Sequence, residues 1–338
     1  MKNINGNTVL MKEVNINIIR NILQKEINVT KQKLSLKTGL SVVTVSSVLQ
    51  YFLETGEVYE DKMISSNGGR PAKTFCYNKN FSYILTVCTY EEKNIDKAVI
   101  SVTNLIGETI DKAELILDNP DIIFFDKIIC KFIKKYSKIK GIGFCMPGQE
   151  TEGKIAIHDY EKFVGLNLSE YFKNKYHLPV IFVNDVNAAV AGYLGCEEKR
   201  EINSAVYVYF LQKYPAGTGL FFDGKLYKGF TGTAGEIKYI PMGIDWKNID
   251  YSNKENVIEI VSKVLISLSA VFNPQTVIMC GEFLTEDILK IVEKKGRENM
   301  KEIYIPDISL SKNFQKDMHN GIVKLTLDLI TPKLSLHE

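Results

Sequence analysis

No run of 18 or more apolar residues occurs in this 338-residue chain, which excludes a transmembrane helix recognisable by hydropathy, since a bilayer takes about 20 such residues. The start, MKNINGNTVL, has no apolar core behind a charged end, so a secretory signal is not expected and the expected location is the cytoplasm, with no membrane partner. Cysteine pairs are missing as well. Cys76, Cys88, Cys130, Cys145, Cys196 and Cys280 are scattered without a CxxC, and none has one of the four histidines close by in sequence. They read as buried free thiols in a reducing compartment, and a structural zinc has no visible ligand set. A charge excess is also absent, with 42 Lys+Arg against 40 Asp+Glu. What is present, 45% apolar and 24% charged residues, excludes a disordered chain, a disulfide mini-protein and a coiled coil. At about 100–200 residues per domain, the length corresponds to two or three domains.

The near-zero total hides an asymmetry. Residues 1–80 hold 11 Lys+Arg and 6 Asp+Glu, a net of +5, while the remainder holds 31 and 34, a net of −3. A small basic head on a slightly acidic body suggests a polyanion-binding module. An ordinary solvated surface can carry the same five charges.

Within the head, residues 15–26 place Ile18, Ile19, Ile22 and Leu23 on one helical face. A second short helix follows, with Thr30 as N-cap and Leu34 facing inward, and Thr38-Gly39-Leu40-Ser41 reads as helix end, glycine turn and new serine cap. In the third segment, SVVTVSSVLQYFLETGE, Val45, Val48, Leu49 and Phe52 recur at i, i+3, i+4, i+7. The other face carries Val42, Val43, Thr44, Ser46, Ser47, Gln50 and Tyr51. Two short helices joined by a glycine turn, the second with small polar side chains outward, suit a helix-turn-helix entering a major groove. Hydroxyls there can meet phosphates or bases, and valine methyls can meet thymine methyls. Two strands around MISSNGGRPA read as a hairpin wing, with Arg70 placed to reach a phosphate or the minor groove. The expected DNA contacts are Lys33, Ser41, Val42, Thr44, Ser46, Ser47 and Arg70. Because no Lys or Arg lies between Ser41 and Phe52, phosphate contacts fall to Lys31, Lys33, Lys37, Lys62, Arg70 and Lys73. The alternative is a three-helix protein-interaction module.

After Asn80 the pattern becomes α/β. Strands are expected at 83–88, 98–102, 140–146, 179–183, 205–210 and 276–280, and helices near 121–135, 168–175, 186–195, 255–272 and 285–299. That order implies two mixed sheets forming two lobes around a cleft. Three segments could carry chemistry. In GIGFCMPGQ a strand runs into a tight turn; in PVIFVNDVNAAVAGY a buried strand delivers Asn184 and Asp185 to a helix N-terminus; in GKLYKGFTGTAGEIKYIPMG, Glu236 follows a glycine-rich stretch. Asp185 there could bind a ligand hydroxyl, act as a base, or simply cap its helix. The glycine-rich stretch has an equally plain reading as a β meander.

Taken in order, these segments resemble the ROK family of repressors, open reading frames and sugar kinases, over essentially the whole chain. TKQKLSLKTGLSVVTVSSVLQYFLETGEV with GGRPA looks like the winged helix-turn-helix of its repressor branch, and GIGFCMPG, VNDVNAAVAG, GKLYKGFTGTAGEI and NPQTVIMCGEFL look like the body. The resemblance implies a winged helix-turn-helix over 1–80, then a two-lobed actin-like ATPase (sugar-kinase-like) body over 81–338, with lobes at about 81–185 and 186–338. It implies sugar contacts at Asn184, Asp185 and Glu236, with Asp185 at the position of the kinases' catalytic base. The family histidine shared between zinc and sugar falls on Tyr239, and MGIDWKNIDYSNKEN has no cysteine, so zinc and other cofactors are not expected. Where family kinases carry glycine turns for ATP phosphates, this chain has TVCTYEEKNID, with Glu91 and Glu92, then KYPAGTG, and at the adenosine position only Gly281 of CGEF. A general base without an ATP site transfers no phosphoryl group, so no catalytic residue is expected. The expectation is a repressor of carbohydrate-utilisation genes, with operator DNA and a sugar or sugar phosphate as partners and a homodimer or homotetramer as assembly. An active sugar kinase, or a regulator that has lost its sugar effector, are the alternatives.

Overall fold

Side-chain caps and one glycine turn set the shape of the head. The computed structural model describes residues 4–64, 72–157, 160–195, 201–300 and 305–331. Helices α1 (Ile4–Lys25), α2 (Lys31–Thr38) and α3 (Val42–Thr55) lead the chain. Thr30 Oγ1 accepts the Lys33 N–H at 3.2 Å and Ser41 Oγ accepts the Thr44 N–H at 3.1 Å, so both caps read from the sequence are in place. Gly39, at φ +70°, closes α2 in the left-handed conformation, and the axis turns by 117° into α3. Strands β1 (Val29–Thr30), β2 (Val58–Ile64) and β3 (Ala72–Tyr77) form an antiparallel sheet in the order β1-β3-β2. Ile19, Leu23, Leu34, Val45, Val48, Leu49 and Phe52 pack with Val29, Val58 and Phe75 into one core. Each such side chain contributes about 1.5–3 kcal/mol on full burial. Arg20 on α1 makes a two-point pair with Glu57, its Nη2 lying 3.0 Å from Glu57 Oε2, and sits 5.2 Å from the Phe52 ring centre. Helix α1 begins well before residue 15, and β1 was not expected at all, since two residues carry no periodicity.

The body contains two five-stranded sheets of matching topology. The first comprises β4 (Tyr83–Glu92), β5 (Ile95–Asn104), β6 (Thr109–Ile116), β7 (Ile139–Met146) and, after the short hairpin β8 (Gln149–Thr151) and β9 (Lys154–Ile157), β10 (Val180–Asn184). Helices α4 (Ile122–Lys135) and α5 (Leu168–Tyr176) cover it, and α6 (Asp185–Leu194) leaves its last strand. The second comprises β11 (Ala205–Tyr209), β12 (Gly217–Phe222), β13 (Lys225–Leu226), β14 (Thr276–Cys280) and β15 (Asp307–Ser311), with α7 (Lys254–Phe272), α8 (Glu286–Asn299) and the final helix α9 (Phe314–Ile330). Strand orders are β10-β7-β4-β5-β6 and β15-β14-β11-β12-β13. In each, three antiparallel strands are followed by two parallel ones.

Helices α6 and α9 join the two sheets. Gly143 on β7 lets Ile322 and Thr326 of α9 approach the first sheet, and Gly219 on β12 lets Val186 and Val190 of α6 approach the second. The helices also meet each other backbone to backbone: a Cβ on Gly192 would fall 1.9 Å from the Asp317 carbonyl oxygen, and one on Gly321 would fall 1.8 Å from that of Ala188. The expected body strands and helices are all present. Strands β6, β8, β9, β12, β13 and β15 and helix α9 were not among them.

Candidate functional site

Parallel pairing of β10 with β7 sets Asn184 opposite Met146, at the end of two adjacent strands. Asn184 Oδ1 accepts the N–H groups of Val186 at 3.0 Å and Asn187 at 3.2 Å, capping α6, while its Nδ2 donates to the Gly148 carbonyl at 3.0 Å. The next residue in that turn, Gln149, donates through Nε2 to Glu236 Oε1 at 3.1 Å, and Lys238 Nζ lies 3.1 Å from Glu236 Oε2. Asn184 and Glu236, 52 positions apart in sequence, are thus linked through two consecutive residues of one turn. Asp185 is the first residue of α6, where the helix dipole favours its ionised form, and its Oδ1 accepts the Val186 N–H at 2.9 Å. The pair expected to meet a ligand is therefore also the pair that caps α6.

The glycine-rich stretch reaches this turn because side chains would block it. A Cβ on Gly232 would lie 2.3 Å from the Glu150 carbonyl oxygen, and Thr151 Oγ1 donates to the Thr231 carbonyl at 2.6 Å. Half-buried Glu150 has its carboxyl pushed above the ordinary range by burial, against the pull of Lys228. Tyr239 meets the cluster only through its backbone, whose N–H donates to the Glu236 carbonyl at 3.2 Å, while the residue is 78% exposed, with the Lys238 ammonium 5.1 Å from its ring centre. Among the described residues, no group of three or more His, Cys, Asp or Glu is placed to hold a metal ion. A tyrosine in place of a histidine and a following segment without cysteine do not fit zinc.

At the same end of the first sheet, the β4–β5 turn carries Lys93 and Asn94 at φ +50° and +65°. Glu91, just before it, is paired with Lys213 of the β11–β12 connection at 3.1 Å, and Glu92 with Lys97 at 2.7 Å. An ion pair thus spans the two segments that correspond to phosphate turns in the resemblance. Beyond it lies a cavity of about 500 Å³ at the ends of β11, β14 and β15, lined by Tyr209, Gly281, Thr285, Ser311 and Phe314 among others. Tyr209 and Phe314 stack there, with centroids 3.6 Å apart and planes 6° apart. Burial, then the nearby Cys280 and Asp185, pushes the Tyr209 phenol up.

In the head, Val42 is 47% and Val43 80% exposed, and Ser47 and Gln50 face outward from the same helix. Ser41 and Thr44 hydroxyls lie 2.9 Å apart within the cap, Ser46 is half-buried, and Gln50 Nε2 donates to Glu54 at 3.0 Å. Lys33 is not a free cation. Its Nζ sits 2.7 Å from Glu26, which Lys37 also contacts, and hydrogen bonds from Lys33 and then Lys37 hold the Glu26 carboxyl below the ordinary range. Lys73 is paired with Glu60 at 2.7 Å, and Lys31 lies 5.7 Å from the Phe75 ring centre. Arg70 lies outside the described residues, with the hairpin tip at 65–71. Sequence reasoning missed Gln149, Lys213 and Glu26. The signal for Gln149 was its place after a Pro-Gly turn, whereas nothing local pairs Lys213 with Glu91 or Glu26 with two lysines.

A helix-turn-helix with a hairpin, followed by two like-folded lobes joined by paired helices, defines a helix-turn-helix head on a body of actin-like ATPase fold. Residues 95–249 match the model of the ROK family. Over 250 residues it is 27% identical to the xylose repressor of Caldicellulosiruptor bescii, covering 69% of this chain and 59% of that one. It is 24% identical to the xylose repressor of Bacillus subtilis over 72% of this chain and 64% of that one. The chain therefore spans about six-tenths of the length of the curated relatives it matches. A crystal structure of a ROK family transcriptional regulator, a homologue of the E. coli MLC protein, superposes with a TM-score of 0.70 at 15% identity, covering 95% of this chain and 98% of that one. The ROK hexokinase from Thermus thermophilus gives 0.58 at 14%, over 72% and 96%. At these identities the superpositions establish the fold.

Proposed function

We propose that this protein is a DNA-binding transcriptional regulator, a repressor of carbohydrate-utilisation genes, in which residues 1–80 bind operator DNA and residues 81–338 bind a sugar or sugar phosphate. The observation that carries the reading is the 117° turn from α2 into an exposed, capped α3, the crossing a helix-turn-helix uses to seat its second helix in a major groove. Relatives named xylose repressors make D-xylose the first effector to try. Its site is Asn184, Asp185 and Glu236, with Tyr239 at the rim and Gln149 holding Glu236. Two heads must be spaced for two half-sites, so the working assembly is a homodimer or a dimer of dimers on a roughly palindromic operator. An effector shifts head spacing only by its differential affinity for two lobe arrangements. Such a role belongs in the cytoplasm.

No enzymatic activity is part of this reading. Glu91 and Glu92 put carboxylates where a triphosphate needs backbone N–H groups, and the Lys213 charge is already paired. The test has three arms. Mobility shift with the DNA upstream of the protein's own gene examines the head, and absence of a shift at low salt refutes DNA binding. Calorimetry with D-xylose and a panel of monosaccharides and phosphosugars examines the cleft, with Asp185→Ala expected to abolish the heat. No heat with any sugar favours a regulator without sugar effector. ATP consumption over the same panel is expected to stay at background, and turnover would establish a kinase.

A further inference from the structure

We infer that α3 reads its operator through thymine methyl groups contacted by Val42 and Val43, and that guanine is not read by this helix. The inference rests on the DNA-binding role proposed above and specifies the chemistry of that same site.

From Val42 to Thr55 the helix has no Lys or Arg, the side chains that pair with guanine O6 and N7 in a major groove. Hydrogen-bonding groups on its outer face are largely committed. The hydroxyls of Ser41 and Thr44 meet each other at the cap, where Ser41 also holds the Thr44 N–H, and Gln50 is bonded to Glu54. Ser47, one turn after Val43, is the remaining exposed hydroxyl of the N-terminal half. Val42 and Val43 open the helix, which is the end that enters the groove in this motif. Both are well exposed, Val43 the more so. They are not needed by the head's own core, which is filled by Val45, Val48, Leu49 and Phe52. A pair of β-branched side chains facing water at that end gains from burial only against an apolar surface, and in a major groove that surface is the thymine C5 methyl. The net +5 of residues 1–80 against −3 of the body suits a polyanion such as DNA.

Random-sequence duplexes are selected on the full chain at low salt, and the enriched site is resynthesised with deoxyuridine at each thymine in turn. Removing one contacted methyl is expected to weaken binding roughly fourfold, and Val43→Ala is expected to erase that penalty while leaving the salt dependence unchanged. The base exchange alters only the DNA, so it reads out independently of protein folding. An enriched site centred on guanine, or one indifferent to uridine, overturns the inference while leaving DNA binding intact. Absence of any enrichment overturns the DNA-binding role and the inference with it, and leaves the exposed valines to a protein partner.

Discussion

The two sheets of the body share one topology, yet the junctions at their last strands do opposite things. After β10 an asparagine, Asn184, caps α6 and is followed by Asp185; after β15 another asparagine, Asn313, caps α9 and is followed by Phe314. The first junction is polar, bonded through Gly148 and Gln149 toward Glu236. The second is aromatic, with Phe314 stacked on Tyr209, and beside it the Glu91–Lys213 pair links the two lobes. Matching backbone plans thus end in a hydrogen-bonded polar network at one junction and in an aromatic stack beside an ion pair at the other. Fold sets where a site can be, and side chains decide whether there is one.

Removing the aromatic wall breaks this contrast most severely. Phe314→Ala deletes a buried ring and is expected to cost about 3–4 kcal/mol, measured by urea unfolding followed through Trp246, the single tryptophan. A cost near zero would show that the stack is not part of the native core. Gly192→Ala attacks the joint between the halves, since its Cβ meets the Asp317 carbonyl at 1.9 Å; overpacking of this kind costs roughly 2–3 kcal/mol. The same loss is expected for Gly321→Ala, and the double variant should be sub-additive because one separation of the helices relieves both clashes.

Charge changes are expected to have smaller effects. Glu91→Gln removes a cross-lobe pair whose side chains are both about one-third exposed or more, so stability should fall by less than about 1 kcal/mol. A double-mutant cycle with Lys213→Met measures the coupling, and a value well above that would make the pair a structural clamp. At the head, the lowered carboxyl pKa of Glu26 gives stability that is complete above the ordinary glutamate value and lost as pH falls through the lowered folded value. Glu26→Gln should flatten that pH dependence. It also releases Lys33 and Lys37, so DNA binding should strengthen and its salt slope steepen by about one to two. An unchanged slope would mean that neither lysine meets a phosphate.

Much of this was legible in advance. Thr30 and Ser41 caps, the inward Val45-Val48-Leu49-Phe52 face and the strand delivering Asn184 and Asp185 to a helix follow from local rules of capping and periodicity. Helix α9 escaped even though Phe314, Met318, Ile322 and Thr326 lie along one face, because Gly321 and the flanking polar residues weaken its pattern. Edge strand β6 escaped because its alternation is between exposed and half-buried positions, with Ile110 and Ile116 on the solvent side. The Lys33–Glu26 pair escaped for a different reason: a lysine beside an expected DNA surface shows no local sign of a partner just past the preceding helix.

By itself the sequence determined the local elements, the +5 head and −3 body, and the absence of phosphate glycines and zinc cysteines, since each depends on neighbours within a few residues or on composition. Only the tertiary structure decided that Gln149 would hold Glu236, that Glu91 would find Lys213, that Phe314 would lie on Tyr209 and that Glu26 would tie up two lysines. Those contacts join residues brought together by strand pairing and by two helices in backbone contact, and no period in the chain encodes which of them will meet.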